Sequence, residues 1–320
     1  METIKITLEP ETSFITPLQS DTLFGQFCWL YLYLYGKERL ETLLKDFDEN
    51  PFIVFSDGLP EGFLPMPKMV YSKEGEDVET YKKFKQFKKF KFVKKDLLLS
   101  AKTPDSLFKE FLSLSDKQPP ENYFLVSPWK KQSFFRVSID RFTGTAKKGL
   151  LFENQEFFTG YIDKVKGERF RVEIYARFNP DKISFDQIGE VFEAIGVVGF
   201  GAKRTWGKGK FKVVSIKKEE FKEPENSKTF ISLSTGLPKE EEIEDFYAEF
   251  FTKYPKHPND INSKSVFKAP IVLTKAGSVF KASERKKVYG MSFNISKKPE
   301  FSNFIHSAKI LPLFLEFEPW

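Results

Sequence analysis

One stretch constrains this chain more than any other, the glycine-rich basic run from Gly196 to Lys210. It follows a helix announced by the capping pair Ser184 and Gln187, with Ile188, Val191, Phe192 and Ile195 at helical spacing. It leads into Phe211, Val213 and Ser215, which alternate as a half-buried strand does. A helix that turns through glycines into a strand implies a layer of helices packed on a sheet. The five glycines let the backbone approach a ligand and take positive φ. Loop amides of this kind form nests for anions, with lysine or arginine as counter-charge; the alternative is a helix C-cap and a strand bend that need glycines, with the lysines incidental. Two phosphate motifs are excluded. A Walker A loop has four residues between its glycines and then Lys-Ser or Lys-Thr, whereas five residues separate Gly201 from Gly207 and Gly209 follows Lys208. A dinucleotide fingerprint joins a strand to a helix, the reverse of the order here.

The rest of the chain supplies the other pieces of such a layer. Thr3 to Leu8 alternates with period two. Ser20 and Asp21 are caps for a helix carrying Leu23, Phe27, Leu30, Tyr31 and Leu34, ending at Gly36. Pro51 to Phe55 reads as a short second strand, and Leu59 to Lys68, with three prolines, as a loop. Phe170 to Phe178 is a long alternating strand ahead of the helix that precedes the glycine run. The order strand, helix, strand, then strand, helix, strand is the βαββαβ, ferredoxin-like or RRM-like order. It is interrupted by insertions at about residues 65–135. Phe134 to Phe142 alternates into Thr143 and Gly144, and Lys147, Lys148 and Gly149 lead on to Leu150, Leu151 and Phe152. This predicts a hairpin at about 136–160 with a basic, glycine-punctuated tip.

Residues 217–228 are charged, contain Pro224 and read as a linker. A second set then begins at Thr229 to Ser234. A helix is expected near Glu241 to Tyr254, where Ile243, Phe246, Tyr247, Phe250 and Tyr254 recur at helical spacing. Strands are expected around Phe267 to Leu273 and Ile310 to Phe317. The predicted fold class is α+β, with two ferredoxin-like βαββαβ units over 1–216 and 229–320, the second more divergent.

Composition narrows the chemistry. Lys and Arg number 51 against 45 Asp and Glu, a surplus of six, so the distribution of charge rather than its total must indicate partners. Tyr81 to Lys95 holds eight lysines and no acids, with Tyr81, Phe84, Phe87 and Phe90 every third residue. This is an amphipathic helix whose lysines are either solvated or set against phosphates. A single cysteine, Cys28, excludes a disulfide framework and a cysteine-based zinc site. The two histidines, His257 and His306, are too far apart in sequence to support a metal centre or a paired nucleophile. The opening at Glu2 is not a signal peptide, and the apolar run Leu23 to Tyr35 is too short to span a bilayer. A soluble cytoplasmic protein with no cofactor and no metal is expected.

Residues 12 to 29, from Thr12 through Phe14, Pro17, Ser20, Asp21 and Gly25 to Trp29, resemble the N-terminal signature of a RAMP-superfamily subunit. This is the Cas5-like subunit that caps the guide in type III-A (Csm) CRISPR complexes. Ile139 to Ala146 with Gly149 to Phe152 resembles the thumb hairpin shared by RAMP proteins, and Gly196 to Gly209 resembles their glycine-rich loop. Leu273 to Phe280 is similar to the family's second glycine turn. The resemblance implies a non-catalytic protein that holds the repeat-derived 5-prime tag of the crRNA. It also implies a place beside the large polymerase-like subunit and the RAMP backbone subunit, with the thumb set between crRNA and target RNA. Carried over by position, Gly199, Gly201, Lys203, Arg204, Gly207 and Lys208 face the tag. Trp206, by its own setting among cations, either stacks on a base or packs beneath the loop. Arg141, Thr143, Lys147 and Lys148 belong to the thumb, and Gly277 and Ser278 line the same groove. The rival within the superfamily is a metal-independent endoribonuclease that processes guide precursor RNA. It would need a general base at a 2-prime hydroxyl, with His257 and His306 the only histidine candidates.

Overall fold

The computed structural model describes residues 1–71, 78–103, 105–115, 122–163, 168–256, 268–295 and 305–318. The first alternating segment is strand β1 (Glu2–Pro10), which buries Ile4, Ile6 and Leu8 completely. Helix α1 (Ser20–Tyr35) follows and ends at Gly36, whose φ of +89° a residue with a side chain resists. Strand β2 (Ile53–Phe55) precedes the insertion. There the lysine-rich stretch forms α2 (Val78–Phe87), with Phe84 and Phe87 inward. The hairpin is β3 (Trp129–Ile139) paired with β4 (Ala146–Thr159), starting earlier in the chain than the sequence implied. The chain then returns through β5 (Val172–Phe178), α3 (Phe185–Val198) and β6 (Phe211–Lys218).

These pieces form a sheet in the order β6-β1-β5-β2, every neighbouring pair antiparallel. The order matters because it centres β1 and β5 and sets β6, the strand that leaves the glycine run, directly beside β1. One face packs Phe27, Tyr31, Ile188, Phe192 and Ile195 on Ile4, Ile6, Ile174 and Phe178. Phenylalanine does much of the filling: Phe27 lies 5.3 Å from Phe55 and 6.1 Å from Phe192, ring centre to ring centre. Each such side chain contributes about 2–3 kcal/mol by leaving water, and truncating Phe27 would cost about 3–5 kcal/mol. Gly196 is required where α3 meets β6, since a Cβ there would lie 2.4 Å from the carbonyl oxygen of Phe211.

The opposite face of the sheet is covered, not solvated. Val54 and Tyr175 join one apolar cluster with Phe87, Phe108, Phe111 and Phe124 of the insertion and Ile231 and Leu313 of the C-terminal half. The insertion thus folds as part of the body. Leu59 to Lys68, expected as a loop, contributes the short strands Leu59–Pro60 and Phe63–Pro65. Both carry proline at an end, where a missing N–H costs the ladder least. Beyond β6, Phe221 packs against the Tyr175 ring at 5.0 Å, and Glu223 accepts a hydrogen bond from the Phe314 N–H at 3.1 Å. The charged connection is therefore anchored along the body.

The C-terminal half departs from expectation. Its strands are β7 (Thr229–Ser232), β8 (Ile243–Tyr247), β9 (Phe250–Lys253), β10 (Ile271–Thr274), β11 (Val279–Ala282) and β12 (Pro312–Phe314). The main sheet runs β8-β11-β7-β12, and β9 pairs with β10. Glu241 to Tyr254, expected as a helix, is instead the two strands β8 and β9 joined at Ala248 and Glu249. Its helical spacing arose from aromatic residues that face outward: Phe246, Phe250 and Tyr254 are about half exposed or more. Backbone pairing to β11 and β10 outweighs a local pattern that buries little. Among the described residues after 218 there is no α-helix, so the second βαββαβ unit is not seen. Phe267 lies outside the described residues. No helix among them is long and apolar enough to cross a membrane.

Candidate nucleic-acid interface

The glycine-rich loop between α3 and β6 is gripped by the segment that runs from β1 into α1. The N–H groups of Glu11 and Thr12 donate to the Lys210 carbonyl at 2.9 and 3.2 Å, and Thr12 Oγ1 accepts from the Lys210 N–H at 2.9 Å. The Gly209 N–H donates to the Ser13 carbonyl at 2.8 Å, and the Ala202 N–H to Thr16 Oγ1 at 3.0 Å. Buried Gln26 bridges the turn, its Nε2 donating to the Gly199 carbonyl at 2.7 Å and its Oε1 accepting from the Gly201 N–H at 2.8 Å. Satisfying the loop's polar backbone this way lets an irregular segment keep one conformation.

Glycine is needed at the close approaches. Gly199 and Gly209 have φ of +94° and +75°, and a Cβ would stand 2.4 Å from the Lys208 carbonyl oxygen and 2.1 Å from that of Phe200. Lys203 is the one described non-glycine residue with positive φ, at 62°. A left-handed residue followed by the short helical turn Arg204–Trp206 is the backbone of an anion nest. Among the described residues the N–H groups of Lys203, Arg204 and Thr205 donate no hydrogen bond, and Arg204 and Thr205 are exposed.

The hairpin root closes the site. Phe14 and Phe157 exchange backbone hydrogen bonds of 2.9 and 2.7 Å, and Trp129 meets the Phe14 ring edge-on at 5.6 Å. Glu156 of β4 is buried, yet accepts from Lys208 Nζ at 2.6 Å and Ser13 Oγ at 2.6 Å, with the Arg136 guanidinium 3.9 Å away. Burial pushes its carboxyl up, but Lys208, Ser13 and Arg136 together outweigh that and hold it below the usual range. Lys208 is therefore an internal counter-ion that ties loop to hairpin. Trp206 is half exposed, with Lys203 Nζ 3.9 Å and the Arg136 guanidinium 4.5 Å from its ring centre. The indole stands as a fixed plate among cations.

The structure thus gathers Gly199, Gly201, Lys203, Arg204, Trp206, Gly207 and Lys208 at the hairpin root. It adds Ser13, Thr16, Gln26, Arg136 and Glu156, which the sequence did not single out. Arg141, Thr143, Lys147 and Lys148 sit at the far tip, all exposed. A rise of about 3.3 Å per residue puts that tip roughly 35 Å from the root. Asp140 shapes the tip by accepting from the N–H groups of Phe142 and Thr143 at 2.9 and 3.2 Å.

Gly277 and Ser278 form the turn between β10 and β11. The Gly277 N–H donates to the Ser232 carbonyl at 2.8 Å and its carbonyl accepts from the Lys68 N–H at 2.7 Å. Ser278 is fully buried, its hydroxyl donating to the Lys275 carbonyl at 2.7 Å. Among the described residues no hydrogen bond joins this turn to the glycine-rich loop.

His306 is buried, 3.3 Å from the Asp21 carboxylate and stacked on Phe293 at 5.9 Å. Burial pushes the Asp21 carboxyl up, but His306 and Lys253, whose Nζ donates at 2.6 Å, hold it down at about 2. His257 lies outside the described residues. Among the described residues no group of three or more His, Cys, Asp or Glu could hold a metal ion.

A family model described as the RAMP superfamily matches residues 12–212, which include the clamping segment, the hairpin and the glycine-rich loop. The chain belongs to the RAMP superfamily. Within solved structures it is similar to a chain of the Csm1–Csm4 cassette in complex with cA4, with 17% identity, 99% of each chain covered and a TM-score of 0.60. It is also similar to a chain of the Csm3–Csm4 subcomplex in the type III-A CRISPR-Cas interference complex, with 17% identity, 98% and 99% coverage and a TM-score of 0.56. At such identities the likeness is one of fold. No curated protein matches.

Proposed function

We propose that this chain is a non-catalytic RNA-binding subunit of a type III-A CRISPR interference complex. It holds the repeat-derived 5-prime tag of the crRNA on the glycine-rich loop and bridges the large polymerase-like subunit to the RAMP backbone subunits. One observation carries the reading. The loop presents the unpartnered amides of Lys203, Arg204 and Thr205 beside two cations and an exposed indole, on a scaffold pinned by Ser13, Gln26 and Glu156. Amides and cations suit phosphates, and Trp206 suits an unpaired base, the form in which RNA is read by sequence. Arg141, Thr143, Lys147 and Lys148 are placed to reach a guide–target duplex from the hairpin tip. Gly277 and Ser278 act by shaping the body against the insertion.

Membership of the RAMP superfamily and a fold shared with chains of Csm1–Csm4 and Csm3–Csm4 structures support the partners named. The arrangement over β1 to β6 supports a ferredoxin-like first unit at 1–216. Residues 217–228 connect it to a second unit at 229–320, built mainly of strands in its described part. Against the nuclease reading, His306 is sealed behind Asp21 and Phe293, out of reach of a 2-prime hydroxyl. The protein works in the cytoplasm without a cofactor. Fluorescence anisotropy with RNAs that carry or lack the tag tests this. At least about tenfold preference for the tag, lost in Lys203→Ala/Arg204→Ala, is expected. Equal affinity for both RNAs would refute tag recognition.

A further inference from the structure

A second charged surface lies on the insertion, apart from the loop and the hairpin. Phe84, Phe87 and Phe90 anchor the lysine-rich stretch in the core, which turns Lys82, Lys85, Lys88, Lys89, Lys91 and Lys94 outward. Among the described residues none of these six makes an ion pair, although Lys83 on the same helix reaches Glu79 at 3.8 Å. Lys85 and Lys88 hold their ammonium groups 4.5 Å over the rings of Tyr81 and Phe84, and both residues stay exposed. A row of cations without acids repels itself, a cost that a solvated face mixing both signs avoids.

Beside this row is a groove of about 350 Å³ lined by Lys88 and Lys91 with Met66, Met69, Tyr71 and Tyr247, and by Glu249, whose carboxylate is already paired with Lys68 at 2.8 Å and with Lys275. The Tyr71 ring is fixed, its hydroxyl donating to the Pro67 carbonyl at 2.9 Å and its edge meeting Phe87 at 5.1 Å. Thioether and aromatic walls next to unpaired lysines match one occupant. Phosphates neutralise the lysines, and an unstacked base has an apolar face of the right kind for the groove. A duplex keeps its bases stacked and cannot offer one. We propose that this lysine row and groove bind single-stranded nucleic acid through its backbone and one flipped base, separately from tag recognition.

The test uses the full chain and anisotropy of labelled oligouridine, oligothymidine and a duplex of equal length, each across a salt series. Changing Lys82, Lys85, Lys88, Lys89 and Lys91 to Gln leaves the buried phenylalanines and the glycine-rich loop intact. Single-strand affinity is expected to fall by about tenfold or more at about 100 mM salt, and the salt slope to become shallower by about 0.7 for each phosphate no longer neutralised. Met69→Glu, which places a carboxylate in the groove, is expected to weaken single strands but not the duplex. Near-UV circular dichroism verifies that both variants keep their packing. Equal losses for uridine and thymidine strands support a backbone-read site for either polymer, and a loss confined to one assigns that polymer. Unchanged affinity and slope would overturn the proposal. So would an equal loss for duplex and single strands, or a loss only of association with a partner protein. Lys203→Ala/Arg204→Ala separates the two readings, because it removes tag preference and leaves oligothymidine binding in place.

Discussion

Lys208 is a cation in the most basic loop of the chain, and the structure gives it a structural task. Replacing it with Met leaves the buried Glu156 carboxylate, among the described residues, with the Ser13 hydroxyl at 2.6 Å and the Arg136 guanidinium at 3.9 Å. Removing one partner of a buried pair costs about 3–5 kcal/mol, because the other charge stays uncompensated in a poor solvent. Arg136 is close enough to take over part of the charge, so Lys208→Met should destabilise the protein by about 3 kcal/mol. The Glu156 carboxyl is held below its ordinary value in the folded protein, so its contribution is present above the unfolded value and fades as pH falls through the folded one. Urea denaturation followed by tryptophan fluorescence should show the full penalty at about pH 7 and a smaller one at about pH 4, near the ordinary glutamate value. Glu156→Leu/Lys208→Met together should recover most of the loss, since a buried pair can be replaced by apolar side chains at little cost. A Lys208→Met penalty under about 0.5 kcal/mol, or one equal at both pH values, would refute the counter-ion role.

Other positions separate structure from binding. Gly209→Ala should cost about 3 kcal/mol or more, because its Cβ would strike the Phe200 carbonyl at 2.1 Å, while Gly207→Ala, with open space and φ of +74°, should cost only about 1 kcal/mol. Asp21→Asn should cost about 3 kcal/mol at about pH 7. That gap should close as pH falls from about 4 towards 2, since the folded carboxyl titrates at about 2 and the unfolded one near 3.8. Arg141→Ala/Lys147→Ala/Lys148→Ala at the exposed hairpin tip should leave the melting temperature unchanged and weaken only binding that involves a guide–target duplex.

Local signals named the sheet that carries the site. The alternation of Thr3 to Leu8 and the Ser184–Gln187 capping box each had one physical reading, the glycines after α3 marked a turn on either of theirs, and the structure contains all three. The loop was legible because glycines grouped between a helix and a strand mark a tight turn, and four of the five take positive φ. Its clamp was not. Gln26 and Glu156 meet the loop across 175 and 52 positions of chain, and a lone polar residue on a helix or strand gives no sign of what it will face. The same limit explains Lys208, whose sequence neighbours suggest a phosphate ligand while its partner Glu156 lies in β4. The C-terminal half was misread for a different reason. Helical spacing at Ile243 to Tyr254 is a pattern of type only, and pairing with strands far along the chain, β8 with β11 and β9 with β10, decided the backbone.

The most direct measurement is to isolate the assembled complex and sequence the RNA that comes with it. Guides sharing one repeat-derived 5-prime end, with that uniformity lost in Lys203→Ala/Arg204→Ala while the protein still folds, is the predicted result. RNA with random 5-prime ends, or the same uniform ends in the variant, would contradict tag capture by the glycine-rich loop.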